Sequence, residues 1–329
     1  MDLRGRLALE HPVLQAGMGA GVASWELASA VSMSGGLGTV GMDAPKAFDA
    51  AIARTKSLVQ GRPYAANLLF PLLLPAHVAT VIRHKVPVVT MFYGFNRCVI
   101  RAIKDSGAYL VYQIGSEAEA ELVVAAGADA LIVQGLEAGG HIRGSEALKA
   151  IFPKIRARYP DMPVIAAGGI CNRHSTARAI SMGADGVSCG TRFLMTHESG
   201  AHDAYKSRLV EAQDTIVTTL FGLGWPAPHR VLINDAVRRW CDRAGKPAAG
   251  VRLLNWLSQF GSRYVPPSTT QRLVMTQRVN RPIFTPVPAV AGMDRHNSAA
   301  LCDYAGACVR EIESIEPASA VVRELAAGC

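Results

Sequence analysis

The chain has 329 residues, of which 50% are apolar and 18% charged, with a mean hydropathy of +0.18. That balance excludes a disordered chain and supplies a large buried core. No apolar run reaches the roughly 18 residues of a membrane span, and the N-terminal stretch MDLRGRLALEHP lacks the apolar segment of a secretory signal.

The seven cysteines contain no C-x-x-C pair. A disulfide framework or zinc cage is therefore not expected, and a reducing cytoplasm fits. The net charge of +8 is uneven: residues 206–282 hold 12 Lys/Arg against 4 Asp/Glu, and the remainder holds 22 of each. Such a surplus is either a solvated face or a basic region that attracts an anionic substrate or cofactor. Nucleic acid is not an expected partner, because basic residues do not run together and only 6% of the chain is aromatic. No membrane partner is expected, and a homo-oligomer stays open.

Up to about residue 191 the chain repeats one plan: a short apolar strand, a helical pattern, a glycine or turn, then the next strand. The expected strands are VLQA (13–16), LGTV (37–40), YAANLL (64–69), PVVTMF (87–92), YLVYQI (109–114), ALIVQ (130–134), PVIAAG (163–168) and GVSCG (186–190). Near-continuous apolar strands are what a parallel sheet covered by helices requires. Asp43-Ala44-Pro45 opens a helix that Gly61 follows. Ser116 and Glu119 fit a capping box on a helix that Gly127 stops, and Ser175 to Met182 forms another, stopped by Gly183.

Eight βα units predict an α/β fold, a (β/α)8 TIM barrel, over an open doubly wound sheet of similar composition. After Thr191 the pattern changes. Residues 200–213 read as helix and 215–222 as an apolar run. Residues 223–292 are basic, with Pro226/Pro228, Pro266-Pro267 and Pro286/Pro288 marking turns, and read as an inserted, mostly helical cap. Residues 297–313 are expected to form the final barrel helix, and 317–328 a short terminal helix. The expected division is thus a barrel of 1–222 and 293–329 and a substrate cap of 223–292.

Active sites of such barrels lie where strands end and βα loops begin. Gly168 and Gly169 end the seventh strand and Gly190 the eighth, leaving backbone N–H groups uncovered for a phosphate. Tight turn packing explains one such end more readily than two adjacent ones. Ser188, Cys189 and Thr191 share the eighth end; Cys189 taken alone reads as a small buried apolar residue. Gln15, Asn67 and Gln134 are amides at strand ends, and a buried amide must be hydrogen-bonded. An amide donates and accepts together, which suits the edge of a flavin ring, although each one alone can serve local backbone.

His141 follows Gly139-Gly140 beyond the sixth strand, in a loop expected to cross the barrel mouth. It is the natural candidate for acid–base chemistry near neutral pH. Glu137 reads as structural. His197-Glu198 with His202 misses the H-E-x-x-H spacing by one residue, so no metal site is expected. Gly17-Met18-Gly19-Ala20-Gly21 has no acidic residue at both the distance and the strand end that a dinucleotide fold needs.

The set QAGMG, AANL, VQGLEAGGH, AAGGI and GADGVSCGTRFL resembles the nitronate monooxygenase family, in order over residues 11–200 and more weakly beyond. The resemblance implies an FMN-dependent barrel. Gln15, Ala16, Gly17 and Met18 would line the flavin, and Asn67 and Gln134 would bond its polar atoms. Gly139 and Gly140 would let the sixth loop approach it. Gly168, Gly169, Ser188, Cys189, Gly190 and Thr191 would form the phosphate end, and His141 matches the family's catalytic histidine.

The implied reaction is oxidation of alkyl nitronates or nitroalkanes with O2. The alternative within the same superfamily is an NAD(P)H-dependent enoyl (acyl-carrier) or quinone reductase. Ala16-Gly17-Met18 replaces the commoner A-P-M, the loop His141-Ile142-Arg143-Gly144 is one residue longer than usual, and Tyr304-Ala305-Gly306-Ala307 has alanine where relatives often carry glutamine. These departures bear on substrate more than on cofactor.

Overall fold

The computed structural model describes residues 3–261, 267–294 and 298–329. It falls into two compact units. The first comprises Met1–Glu137, Arg143–Gly200 and Ser314–Cys329; the second comprises Ala138–Ile142 and Ala201–Glu313. The division thus lies near residues 200 and 313, outside the composition change at 223 and 292. The cause is hydrogen bonding: Thr215–Thr218 pairs with His229–Leu232, and Ala201 bridges Val290.

The first unit is built on eight parallel strands. They are β1 (Val13–Gln15), β2 (Gly38–Val40), β3 (Tyr64–Leu69), β4 (Val88–Phe92), β5 (Tyr109–Ile114), β6 (Ala130–Gln134) and, after β7 (Gly140–His141) of the second unit, β8 (Val164–Ala167) and β9 (Gly186–Cys189). Their order is β1-β9-β8-β6-β5-β4-β3-β2. The sheet closes where Leu37 N–H donates to Val13 (2.9 Å) and Gln15 N–H to Leu37 (3.0 Å). This is the predicted (β/α)8 barrel.

Strand residues alternate between two apolar layers, as the period of two demands. Val13, Ala66, Val89, Leu131, Ala166 and Val187 meet the helices. Leu14, Ala65, Val88, Ala130, Ile132 and Ile165 fill the barrel interior, together with Leu3, Leu7 and Leu9 from the N-terminal segment.

The helices of the first unit are α1 (Leu3–Leu7), α2 (Trp25–Met33), α3 (Pro45–Leu58), α4 (Pro75–His84), α5 (Arg97–Asp105), α6 (Glu117–Ala125), α7 (Leu148–Arg158), α8 (Arg173–Ser181) and α9 (Thr191–Leu194). Ser116 caps α6, accepting from Glu119 N–H at 3.2 Å. The returning half of the expected box lands one residue earlier, on Gly115 N–H at 2.8 Å. α8 begins two residues before Ser175, because Asn172 is the cap and accepts from Ser175 N–H at 2.9 Å.

The second unit holds a three-stranded antiparallel sheet, β10 (Thr215–Thr218), β11 (His229–Leu232) and β7 in that order. It also holds α10 (Asp203–Val210), α11 (Asp235–Trp240), α12 (Ala249–Gly261) and α13 (Pro267–Thr276). Its apolar centre joins Leu220, Phe221, Val231, Val237, Val251 and Phe284. It is therefore not simply helical, which corrects the reading of 215–222 as an apolar run of the barrel. Residues 262–266, including Pro266, lie outside the described residues.

The expected final barrel helix at 297–313 does not run through the described part: Ser298 is helical, but 299–313 is not an α-helix. There the chain forms turns and a short 3-10 stretch, Val309–Glu311, within the second unit. Asp303 explains the failure of periodicity. It is fully buried and takes two bonds from Arg208, at 2.7 and 2.9 Å, so this stretch is fixed by an internal ion pair. The wall position falls to α14 (Ala318–Ala326), which packs on α2 and α8.

No helix among the described residues is long and apolar enough to cross a membrane. All seven cysteines are free thiols.

Val321, Val322 and Leu325 of α14 are wholly buried in the helix-facing core. Leu325→Ala should lower the unfolding free energy by about 2–5 kcal/mol through lost transfer energy and a cavity. Exposed Arg323→Ala should leave it nearly unchanged. Denaturant titration of both variants checks this.

Candidate active site

The ends of β6, β8, β9 and β1 are consecutive around the barrel. Their register aligns Gln134 with Ala167, Ala167 with Ser188, and Cys189 with Gln15. Strand alternation then sorts the side chains. Asn67, Gln134 and Ser188 share the parity of the interior residues Ala65, Ile132 and Leu14's partner row, whereas Gln15 and Cys189 share that of Val13 and Val187, which face the helices.

Cys189 sits in the helix-facing core, where burial pushes its thiol well up. Gln15 accepts from Thr39 N–H at 2.8 Å and donates to the Ala16 carbonyl. Its amide is committed to the barrel. At these two positions both side chain and backbone are taken up by the barrel wall, Gln15 N–H donating to Leu37 and the Cys189 carbonyl accepting from Ala16 N–H.

Asn67 is 9% exposed and accepts from the Thr90 hydroxyl at 3.0 Å, leaving its Nδ2 without an acceptor among the described residues. Its amide lies against the bare Cα of Gly17, where a Cβ would collide with Asn67 Cβ and Cγ. Ala16, Gly17 and Met18 are half-buried beside it. Gln134 accepts from Arg143 N–H at 3.0 Å and so ties down the chain that follows the sixth loop.

Past β8, Gly168 (φ +112°) and Gly169 (φ +68°) turn the backbone through the left-handed region. The N–H groups of Gly169 and Ile170 find no protein acceptor among the described residues. A Cβ on Gly190 would touch only Ala16 Cβ, at 3.8 Å, and Thr191 opens α9. Glu137 serves α7, as expected of a structural residue: it accepts from Leu148 N–H at 2.9 Å, where the cap Ala147 has no acceptor of its own. The rim therefore offers uncovered backbone donors at one end and a half-satisfied amide at the other. Such a set fits a phosphate-bearing aromatic cofactor.

His141, Gly139 and Gly140 belong to the second unit. His141 pairs in register with His229. Its ring stacks on Trp225, with centroids 3.7 Å apart and planes 11° apart, and meets His229 at 5.4 Å and Tyr304 at 5.6 Å. Gly139 packs against Gly306 N, which a Cβ would approach to 2.5 Å. Its lack of a side chain therefore serves a backbone crossing inside this unit.

His229 Nδ1–H donates to the Ala227 carbonyl at 2.9 Å, and Nε2 accepts from Phe221 N–H at 3.3 Å, which fixes one neutral tautomer. Burial pushes His229 down to about 4. Burial, and then the repulsion that a protonated His229 would add, hold His141 well below the usual histidine range. At neutral pH His141 is therefore uncharged and able to accept a proton. Tyr304 anchors the cluster, donating to the Pro286 carbonyl at 2.9 Å.

Sequence alone does not point to Trp225 or His229, and it touches Tyr304 only as the first residue of the Tyr304-Ala305-Gly306-Ala307 segment. A faint signal exists in Trp225-Pro226-Ala227-Pro228-His229, where two prolines stiffen a turn between aromatic rings. Among the described residues, no group of three His, Cys, Asp or Glu side chains is arranged to hold a metal.

A profile of the nitronate monooxygenase family matches residues 2–87 and 74–327. The chain is 37% identical over 240 residues to (3aS,4S,5R,7aS)-5-hydroxy-7a-methyl-1-oxo-octahydro-1H-indene-4-carboxyl-CoA dehydrogenase of Mycobacterium tuberculosis, a match that spans 71% of this chain and 66% of that relative. Among solved structures, it resembles FabK from Thermotoga maritima at TM-score 0.76 and 29% identity, over 98% of this chain and 94% of that one. It also resembles nitroalkane oxidase from Streptomyces ansochromogenes at TM-score 0.75 and 28% identity, over 97% and 96%.

The buried histidines predict a pH dependence. His229 is depressed from 6.5 to about 4, so between these values the unfolded chain binds the proton that the folded chain refuses. Stability should be level above 6.5 and fall as pH drops, His229 alone removing about 3 kcal/mol by the lower end. His141 acts in the same direction. Urea midpoints across this range should show the loss, and His229→Gln should flatten it. A midpoint that rises on acidification contradicts the assignment.

Proposed function

Because the chain belongs to the nitronate monooxygenase family, we propose that it is an FMN-dependent oxidoreductase of the cytoplasm. Its proposed substrates are alkyl nitronates or nitroalkanes, with O2 as the electron acceptor. The barrel rim supports the cofactor half of this reading. Gly169 and Ile170 N–H, with Gly190 and Thr191, would hold the phosphate. Asn67 Nδ2 and Gln134 would meet the polar atoms of the ring or ribityl chain, over the backbone of Ala16 to Met18. One mononucleotide-sized phosphate site, without a second glycine-rich dinucleotide loop, favours FMN over FAD. When bound, the flavin supplies the electron transfer.

The observation that carries the reaction is the stack of His141 on Trp225. An uncharged imidazole held face-on to an indole is an oriented base. His141 accepts the α-proton of a neutral nitroalkane. A nitronate has already lost that proton, and toward it His141 only orients the anion.

One observation favours a second reading. The cation surplus of residues 206–282, together with the 37% identity to a CoA-thioester dehydrogenase, supports a CoA or acyl-carrier thioester as substrate. NAD(P)H would then be the reductant. Anaerobic mixing separates the two readings. Bleaching of the bound chromophore by propyl nitronate, and not by NADH or NADPH, is the result expected. Fast bleaching by a nicotinamide alone would transfer the assignment to the reductase.

The cofactor cradle is tested apart from turnover. Gly17→Ala forces the Asn67 amide aside. It should weaken flavin retention by about tenfold, the scale of one hydrogen bond lost. The released chromophore should have the mass of FMN; recovery of FAD would contradict the site.

A further inference from the structure

Asn67 and Thr90 face each other in register on the neighbouring strands β3 and β4. Both share the parity of Ala65 and Val88, so both point into the barrel. Both are buried, and the Thr90 hydroxyl lies 3.0 Å from Asn67 Oδ1. Among the described residues, neither side chain makes any other hydrogen bond.

The direction of this bond follows from what each alternative would leave unmet. If Thr90 donates, its proton is used and Asn67 keeps Nδ2 for another partner. If Nδ2 donated to Thr90 instead, the buried hydroxyl proton would face no acceptor among the described residues, a loss that folded proteins avoid. Two features hold the amide in the first pose. Threonine is branched at Cβ, so its hydroxyl has little rotamer freedom. Asn67 also packs on the bare Cα of Gly17, whose missing Cβ would lie 2.3 Å from Asn67 Cγ. Residues of β3, β4 and the turn after β1 thus fix one amide together.

We propose that Thr90 is a positioning residue for the cofactor: its hydroxyl engages Asn67 Oδ1 and so presents Nδ2 to the barrel rim as a donor. The end of β3 then selects an acceptor atom and disfavours a second donor at that point. The inference rests on the FMN reading, in which a polar atom of the ring or ribityl chain meets Nδ2. It adds that this atom is an acceptor, and that a residue with no cofactor contact of its own decides so.

The experiment is fluorescence titration with FMN of the full chain stripped of its flavin. Thr90→Val keeps the shape of the side chain and should leave the circular dichroism spectrum unchanged. It should raise the FMN dissociation constant about tenfold, the scale of one hydrogen bond. Thr90→Ser keeps the donor and should stay within about threefold of wild type. In an Asn67→Ala background, Thr90→Val should cost no more than about twofold further, because Thr90 acts only through that amide. A purely structural role gives the opposite pattern: the two losses multiply and serine does not rescue. Either of those results overturns the proposal, as does a Thr90→Val dissociation constant equal to that of wild type. Failure of the FMN reading looks different. Wild type itself would then take up no FMN, which overturns both, whereas a wrong role for Thr90 leaves wild-type binding intact.

Discussion

Closure of the parallel sheet at β1 is the constraint on which the rest of the barrel unit depends. β1 is only three residues long, yet it pairs with β9 on one side and exchanges backbone bonds with Leu37 on the other. Once the ring is closed, register is fixed, because a slip of one residue would exchange the interior and helix-facing layers of every strand. The same alternation that sends Val13 outward and Leu14 inward decides which strand-end side chains point into the ring. Asn67, Gln134 and Ser188 emerge on the inner side. Gln15 becomes part of the closure itself, its carbonyl oxygen taken by Thr39 N–H.

The second unit solves a different problem. It keeps a histidine uncharged by burial. Burial disfavours the imidazolium, and the neighbouring His229, locked in one neutral tautomer by two backbone bonds, offers no negative charge to offset that cost. Trp225 holds the ring plane. The Pro226/Pro228 turn fixes Trp225 in turn, through Ala227 N–H to its carbonyl at 2.8 Å, while Ile142 N–H bonds to Pro228 at 2.9 Å.

All eight barrel strands were legible because each is an apolar run bounded by glycine or a turn residue, a local signal. α14 was legible for the same reason. The missed features are those set by distant partners. Thr215–Thr218 is apolar enough to pass as barrel, and only its pairing with His229–Leu232 assigns it elsewhere. Residues 298–313 look periodic, but the buried Asp303–Arg208 pair organises them instead. His141 is a candidate from its loop and its glycines alone, whereas the aromatic rings around it come from positions 225, 229 and 304, which no local pattern links. Gln15 and Cys189 were named for their place at strand ends; the period of two, applied from Val13, turns both toward the helices.

The central claim is that a neutral His141 removes a proton from carbon. Its most direct test compares a neutral nitroalkane with the preformed nitronate as substrates of His141→Asn, at matched flavin content. The account predicts that kcat/KM falls by about 10²-fold or more for the nitroalkane, the scale of losing an acid–base group, and much less for the nitronate. Near-wild-type rates on both substrates would contradict it.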